Sequence, residues 1–302
     1  MKLSFVCRSV AGIAAAAGAF FAVGAHAQSQ SLLAISLTPS GANPSTATQF
    51  YSLNASTNDV ITSGRVTGGP ATPVLYGLGV RNGALYTFDS GTDRVLQLSQ
   101  AGAVLNSINI GVGNLNGEGD LDFNPLTGTG YLASSLNAAA DTVTNDFFSF
   151  NILTGTSTRI ATTSVTLDGL AFNAAGVLYG LSTDTSTLYT VNLTTGALTA
   201  VGSGAGNLGF GVSSGTADIA FAANGTLYAA LDDQLFTLNT ATGAASLINP
   251  DPQNPGITAG SLGAAAAPNI SGLAFVSAPE PGALALILPA FAGLYFARRR
   301  SK

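Results

Sequence analysis

One four-residue string returns four times along this chain, as Asp120-Leu121-Asp122-Phe123, Gly169-Leu170-Ala171-Phe172, Asp218-Ile219-Ala220-Phe221 and Gly272-Leu273-Ala274-Phe275. The phenylalanines stand 49, 49 and 54 residues apart. A period near fifty residues confines the fold to repeat architectures, in which each unit buries its apolar face against the next.

Each of the first three copies is followed by a second apolar run containing Tyr131, Leu178-Tyr179 or Leu227-Tyr228. A third run ends in Asn151, Asn192 or Asn239, and a Thr-Gly pair (Thr154-Gly155, Thr195-Gly196, Thr242-Gly243) then leads into a fourth. Alternation over five or six residues rich in Val, Leu, Phe and Tyr reads as strand rather than helix. Asn82-Gly83 and Asn224-Gly225 lie between such runs and predict tight two-residue hairpins with both residues at positive φ; Ala175-Gly176 holds the same place in its copy.

Four antiparallel strands per unit predict an all-β propeller. Pro73 to Ile110 gives a divergent blade, and further blades cover about 118–161, 167–202 and 216–249. Ser31–Leu37, Phe50–Asn54 and Asp59–Val66 supply a second, third and fourth strand without a first, whereas Ile270–Val276 is a first strand without followers. Joining them gives five blades, with the last strand closing the first blade and leaving no open sheet edge. Six blades, or an incomplete ring, are the alternatives.

The ends read differently. Lys2 and Arg8 precede an apolar run from Val10 to Val23, and Ala25-His26-Ala27 offers the small-x-small site of a signal peptidase. Residues 1–27 are therefore expected to be a signal peptide and 28–278 the propeller domain. At the other end stand Pro279-Glu280-Pro281, an apolar run from Gly282 to Ala297 interrupted by Pro289, and Arg298-Arg299-Arg300. Sixteen helical residues span about 24 Å, short of a hydrocarbon core of about 30 Å. The basic cluster stays cytoplasmic under the positive-inside rule.

Residues 279–302 resemble a PEP-CTERM sorting domain. The resemblance implies a Gram-negative, exopolysaccharide-producing context and an exosortase-type membrane peptidase that removes the tail. An ordinary single-pass anchor is the alternative. The resulting expectation is an exported chain, held briefly at the inner membrane by a transmembrane helix and then found at the cell surface or outside the cell. The middle region resembles bacterial surface propellers of the quinoprotein-like and YVTN kind, a likeness of architecture that brings no functional residue with it.

Between residues 28 and 278 the chain carries four arginines against fourteen carboxylates, a formal charge of −10, and contains no His, Cys, Lys, Met or Trp. Such a field repels nucleic acid and anionic lipid surfaces. The missing residue types exclude a histidine-assisted nucleophile, a Schiff-base lysine, thiol chemistry, disulfides, and zinc or haem sites built on His or Cys. Gly211-Val212-Ser213-Ser214-Gly215 fits the string of a hydrolase elbow, but with no histidine to activate Ser213 it reads as a glycine-rich connection.

Asp120, Asp168 and Asp218 stand just ahead of the innermost strands of three successive blades, where they would converge on one mouth of the channel. With Glu118 and backbone carbonyls they could hold Ca2+, or serve as acid and base in glycoside cleavage; alternatively each caps its own turn. Asp232-Asp233 reads as a solvated hairpin tip, and the repeated Phe and Tyr residues as packing between blades. The expected function is binding or scaffolding linked to exopolysaccharide or another envelope protein. A carboxylate-based, calcium-dependent polysaccharide hydrolase or lyase is the alternative.

Overall fold

The computed structural model describes residues 30–37, 48–69, 73–113, 115–136, 145–212, 217–231, 234–248, 250–251, 254–258 and 269–277. The expected signal peptide with Ala25 and Ala27, the sorting tail with its Pro-Glu-Pro motif and arginines, Ser213 and Asp232-Asp233 lie outside the described residues, as does the side chain of Glu118.

The first blade holds β1 (Gln30–Leu37), β2 (Gln49–Leu53) and β3 (Val60–Arg65). The second holds β4 (Leu75–Arg81), β5 (Ala84–Asp89), β6 (Arg94–Leu98) and β7 (Val104–Asn109). The third holds β8 (Leu115–Phe123), β9 (Gly130–Leu136), β10 (Asp146–Asn151) and β11 (Thr156–Thr162). The fourth holds β12 (Gly169–Phe172), β13 (Leu178–Ser182), β14 (Thr187–Val191) and β15 (Leu198–Ala200). The fifth holds β16 (Ala217–Phe221), β17 (Leu227–Leu231), β18 (Gln234–Leu238) and β19 (Ala245–Leu247). A small hairpin of β20 (Pro250–Asp251) and β21 (Asn254–Thr258) precedes β22 (Asn269–Ser277).

That last strand lies beside β1, in the sheet order β22-β1-β2-β3, so five antiparallel four-stranded blades result. The inner strands β22, β4, β8, β12 and β16 each touch the next, and β16 touches β22, so the ring is closed. Five blades with closure by the last strand is the architecture the repeats predict. The described residues contain no helix, and so none long and apolar enough to cross a membrane.

Composition follows distance from the axis. All of β12 is buried, whereas every residue of β3 is exposed. The outer strand of the third blade, Thr156–Thr162, carries mainly Thr, Ser and Arg, which blunts its free edge. Between blades, the inner-strand phenylalanine meets the second-strand tyrosine of the preceding blade. The pairs are Tyr86 with Phe123, Tyr131 with Phe172, Tyr179 with Phe221 and Tyr228 with Phe275, at centroid separations of 5.1, 5.5, 5.4 and 4.9 Å. Each such pair adds about 0.5–1.5 kcal/mol beyond area burial. The fifth junction is aliphatic, with Leu33 and Val80 in one core cluster.

Turn chemistry matches the sequence at Asn82-Gly83, where both residues have positive φ (51° and 76°) between β4 and β5. The expectation for Asn224-Gly225 is corrected. There Ala222 N donates to Thr226 O and Gly225 N donates to Ala222 O, with only Gly225 at positive φ. Three residues, Ala223 to Gly225, fill the loop, so a type I turn followed by a glycine bulge replaces the two-residue turn.

Candidate functional site at the propeller axis

The register of the inner strands against the second strands puts Asp120, Gly169, Asp218 and Gly272 at one level, and Gly77, within the register shift of β4, faces Asp120 at the same level. Gly79, Asp122, Ala171, Ala220 and Ala274 lie at the next level on the same face, opposite Tyr86, Tyr131, Tyr179, Tyr228 and Leu33. Gly169 separates the two aspartates on one side and Gly272 and Gly77 stand side by side between them on the other, and a Cβ at any of the three would clash. A Cβ on Gly169 would sit 2.9 Å from Ile219 N and 3.0 Å from Asp218 Cα, and one on Gly77 would overlap Asp120 Oδ1.

Asp120 and Asp218 are fully buried, and their side chains hydrogen-bond to each other although β12 separates their strands. Their oxygens also accept backbone amides. Asp120 takes Leu121 N and Leu170 N at 2.5 Å each, and Leu78 N from the preceding blade. Asp218 takes Ile219 N and Leu273 N at 2.5 Å each. Two carboxyls thus join the inner strands of all five blades and plug the axis.

Burial lifts the Asp120 carboxyl above its ordinary range. It lifts Asp218 further, because the Asp120 charge and the bond between them both favour a proton on Asp218. The pair is best described as Asp218 donating to an Asp120 carboxylate.

Asp168 is not part of this group. It precedes Gly169 by one residue, and the strand period of two turns it away from the axis. Its carboxylate instead accepts Thr183 N at 2.7 Å and Thr183 Oγ1 at 2.8 Å. Asp89 has the same kind of task, accepting Val74 N, Gly91 N and Thr92 Oγ1. The structure brings together two of the three aspartates expected to converge, and among the described residues no group of three or more His, Cys, Asp or Glu is placed to hold a metal.

Asp122 is the residue that the sequence reading passed over. It occupies a level where the other copies carry glycine or alanine, and that departure within an otherwise regular repeat was its available signal. Its carboxylate accepts Phe123 N and Phe172 N, both at 2.7 Å, and Val80 N, again joining three inner strands. Unlike the axial pair it keeps accessible surface, because a cavity of about 240 Å³ reaches it from the end where the first and second strands of each blade join. Desolvation deep in the channel pushes its carboxyl up to about 7, and neighbouring Asp120 adds to the shift.

The cavity wall is formed chiefly by Leu78, Val80, Phe172, Phe221, Leu273 and Phe275. Gln30 and Ser277, paired across β1 and β22, lie at the same rim. The described chain therefore enters and leaves the propeller beside this mouth.

No family model matches the chain, and no curated protein matches it. Among solved structures it is similar to a nidogen/laminin complex component (13% identity, TM-score 0.45, covering 82% of this chain and 98% of the other). A putative gluconolactonase is similar at 16% identity (TM-score 0.46, 70% and 76% covered). So is a protein of unknown function from Bacteroides caccae, at 12% identity (TM-score 0.41, 83% and 100% covered). Likeness at this level says nothing about ligand or activity.

Proposed function

We propose that this is an exported surface or extracellular-matrix propeller that acts by binding or scaffolding in the envelope or exopolysaccharide. In this reading a signal peptidase removes residues 1–27, and an exosortase-type peptidase recognises the tail at Pro279-Glu280-Pro281. The observation that carries the non-catalytic part is the use of Asp120 and Asp218. The carboxyls nearest the axis have their oxygens committed to backbone amides and to each other, with no surface left for a substrate.

Two experiments test it. Replacing Pro279, Glu280 and Pro281 by alanine is expected to leave the protein uncleaved and held in the membrane fraction; unchanged release into the medium would overturn the sorting assignment. A glycan array probed with the purified protein is expected to return at least one polysaccharide class.

The second reading, a calcium-dependent polysaccharide hydrolase or lyase, is favoured by Asp122, a cavity-lining carboxyl that titrates near neutrality. It requires polysaccharide turnover that falls on substituting Asp120, Asp122 or Asp218, and melting that shifts with added Ca2+.

A further inference from the structure

We propose that the cavity at the Asp122 mouth binds a small organic cation, with an ammonium group on the Asp122 carboxylate and an apolar body against Val80, Phe172 and Leu273. This gives the binding reading a ligand class for one site, and it rests on that reading.

Asp122 is more than a brace. Ala171, Ala220 and Ala274 occupy its level in three other blades, which close without any carboxylate there. A carboxylate offers about four lone-pair sites; three are met by Phe123 N, Phe172 N and Val80 N. One acceptor position remains on the group that the cavity reaches.

The surroundings select the ligand. Among the described residues the lining contains no lysine or arginine, and Asp122 is its one ionisable side chain. The side-chain carbonyl oxygens of the two amides in the wall are already engaged, Gln30 Oε1 accepting Ala223 N and Asn173 Oδ1 accepting Ala175 N and Val177 N, which leaves Asp122 as the acceptor open to a ligand. A polyol would leave most of its hydroxyls unpaired among Leu78, Val80, Phe172, Phe221 and Leu273, at a cost for each. A single cation with an apolar body meets one charge and an apolar wall that includes aromatic rings, and it gains from cation–π attraction. The formal charge of −10 over residues 28–278 raises the local concentration of cations.

The groups around Asp122 are few. Asp120 stands two residues away on β8, β4 and β12 present Val80 N and Phe172 N, and Tyr131 lies opposite on β9. Arg81, next along β4, donates its Nε to Gly128 O. A bound ammonium favours the ionised carboxyl, so affinity rises with pH through about 7.

The test is calorimetric titration of the full chain, in non-ionic detergent, with benzylamine as the cationic probe and benzyl alcohol as its neutral counterpart. Benzylamine is expected to bind at pH 8 at least about tenfold more tightly than benzyl alcohol, and to weaken by about tenfold or more at pH 5.5. Asp122→Ala, which matches the residue type of three other blades, is expected to fold and to lose benzylamine binding. Ala220→Leu fills the cavity while leaving Asp122 in place, and is expected to lose it too. Equal affinity for the two probes, no benzylamine binding at pH 8, or binding unchanged in Asp122→Ala would overturn the proposal. A glycan-array signal that persists alongside such a failure would leave the broader binding reading standing.

Discussion

Asp120 occupies the space that a side chain at Gly77 would need: a Cβ built there overlaps Asp120 Oδ1 and comes within 2.7 Å of Leu121 N. Gly77 and Gly83 both have positive φ, at 66° and 76°, but Gly83 faces open space. Alanine at either position carries backbone strain of about 1 kcal/mol. Only Gly77→Ala must also displace the axial carboxyl, so urea unfolding is expected to show it less stable than Gly83→Ala by at least about 2 kcal/mol.

The axial pair is asymmetric. Asp120→Ala removes the acceptor of Leu78 N, Leu121 N and Leu170 N and leaves Asp218 without its partner, an expected loss of about 3–5 kcal/mol. Asp218→Asn keeps one acceptor, and its amide can still donate to Asp120, so a loss of about 1–2 kcal/mol is expected. Chemical denaturation of the two variants checks the order, and a reversed order would refute the assignment of Asp218 as donor.

Stability is expected to fall as pH rises. Asp120, Asp122 and Asp218 all have carboxyls raised above the ordinary value by burial, whereas an unfolded aspartate titrates near about 3.9. The folded state therefore binds the extra protons. The stabilising contribution of Asp120 and Asp122 is complete below about pH 4 and is lost as pH rises through about 7, at about 1.4 kcal/mol per pH unit for each proton held in excess; that of Asp218, also raised, is lost in the same direction. Melting temperature is expected to be lower at pH 8 than at pH 5, with a shallower slope in Asp122→Ala.

Phe275 joins the closing strand to the fifth blade through Tyr228. Phe275→Ala is expected to destabilise by about 2–4 kcal/mol, and to do so locally. Hydrogen exchange is expected to quicken first at Leu32, Ala34 and Leu37, whose register partners lie on β22. Uniform quickening across all blades would show that the ring does not open at this seam.

The ring was legible because its repeat is written in residues that packing cannot vary: a phenylalanine every fifty or so positions, small residues ahead of it, and a tyrosine on the following strand. The axial chemistry was less legible. Asp168 looks equivalent to Asp120 and Asp218 when copies are compared by proximity to the strand. Counting back three residues from Phe123, Phe172, Phe221 and Phe275 instead gives Asp120, Gly169, Asp218 and Gly272, and it is this one-residue offset that decides which face a side chain takes. The bond between Asp120 and Asp218 links non-adjacent blades, and no local pattern encodes it. At Asn224 the extra loop residue, Ala223, decided the turn over the Asn-Gly pair.

The pairing of Gln30 with Ser277 has a mechanical meaning. A pull on the chain at Ser277, directed away from this mouth, runs along β22 and loads its eight register pairs with β1 side by side, so they resist together in shear instead of parting one at a time. Tension applied at that point would be borne through the longest ladder among the described strands, with the Asp218 bond to Leu273 N as a further brace at the centre.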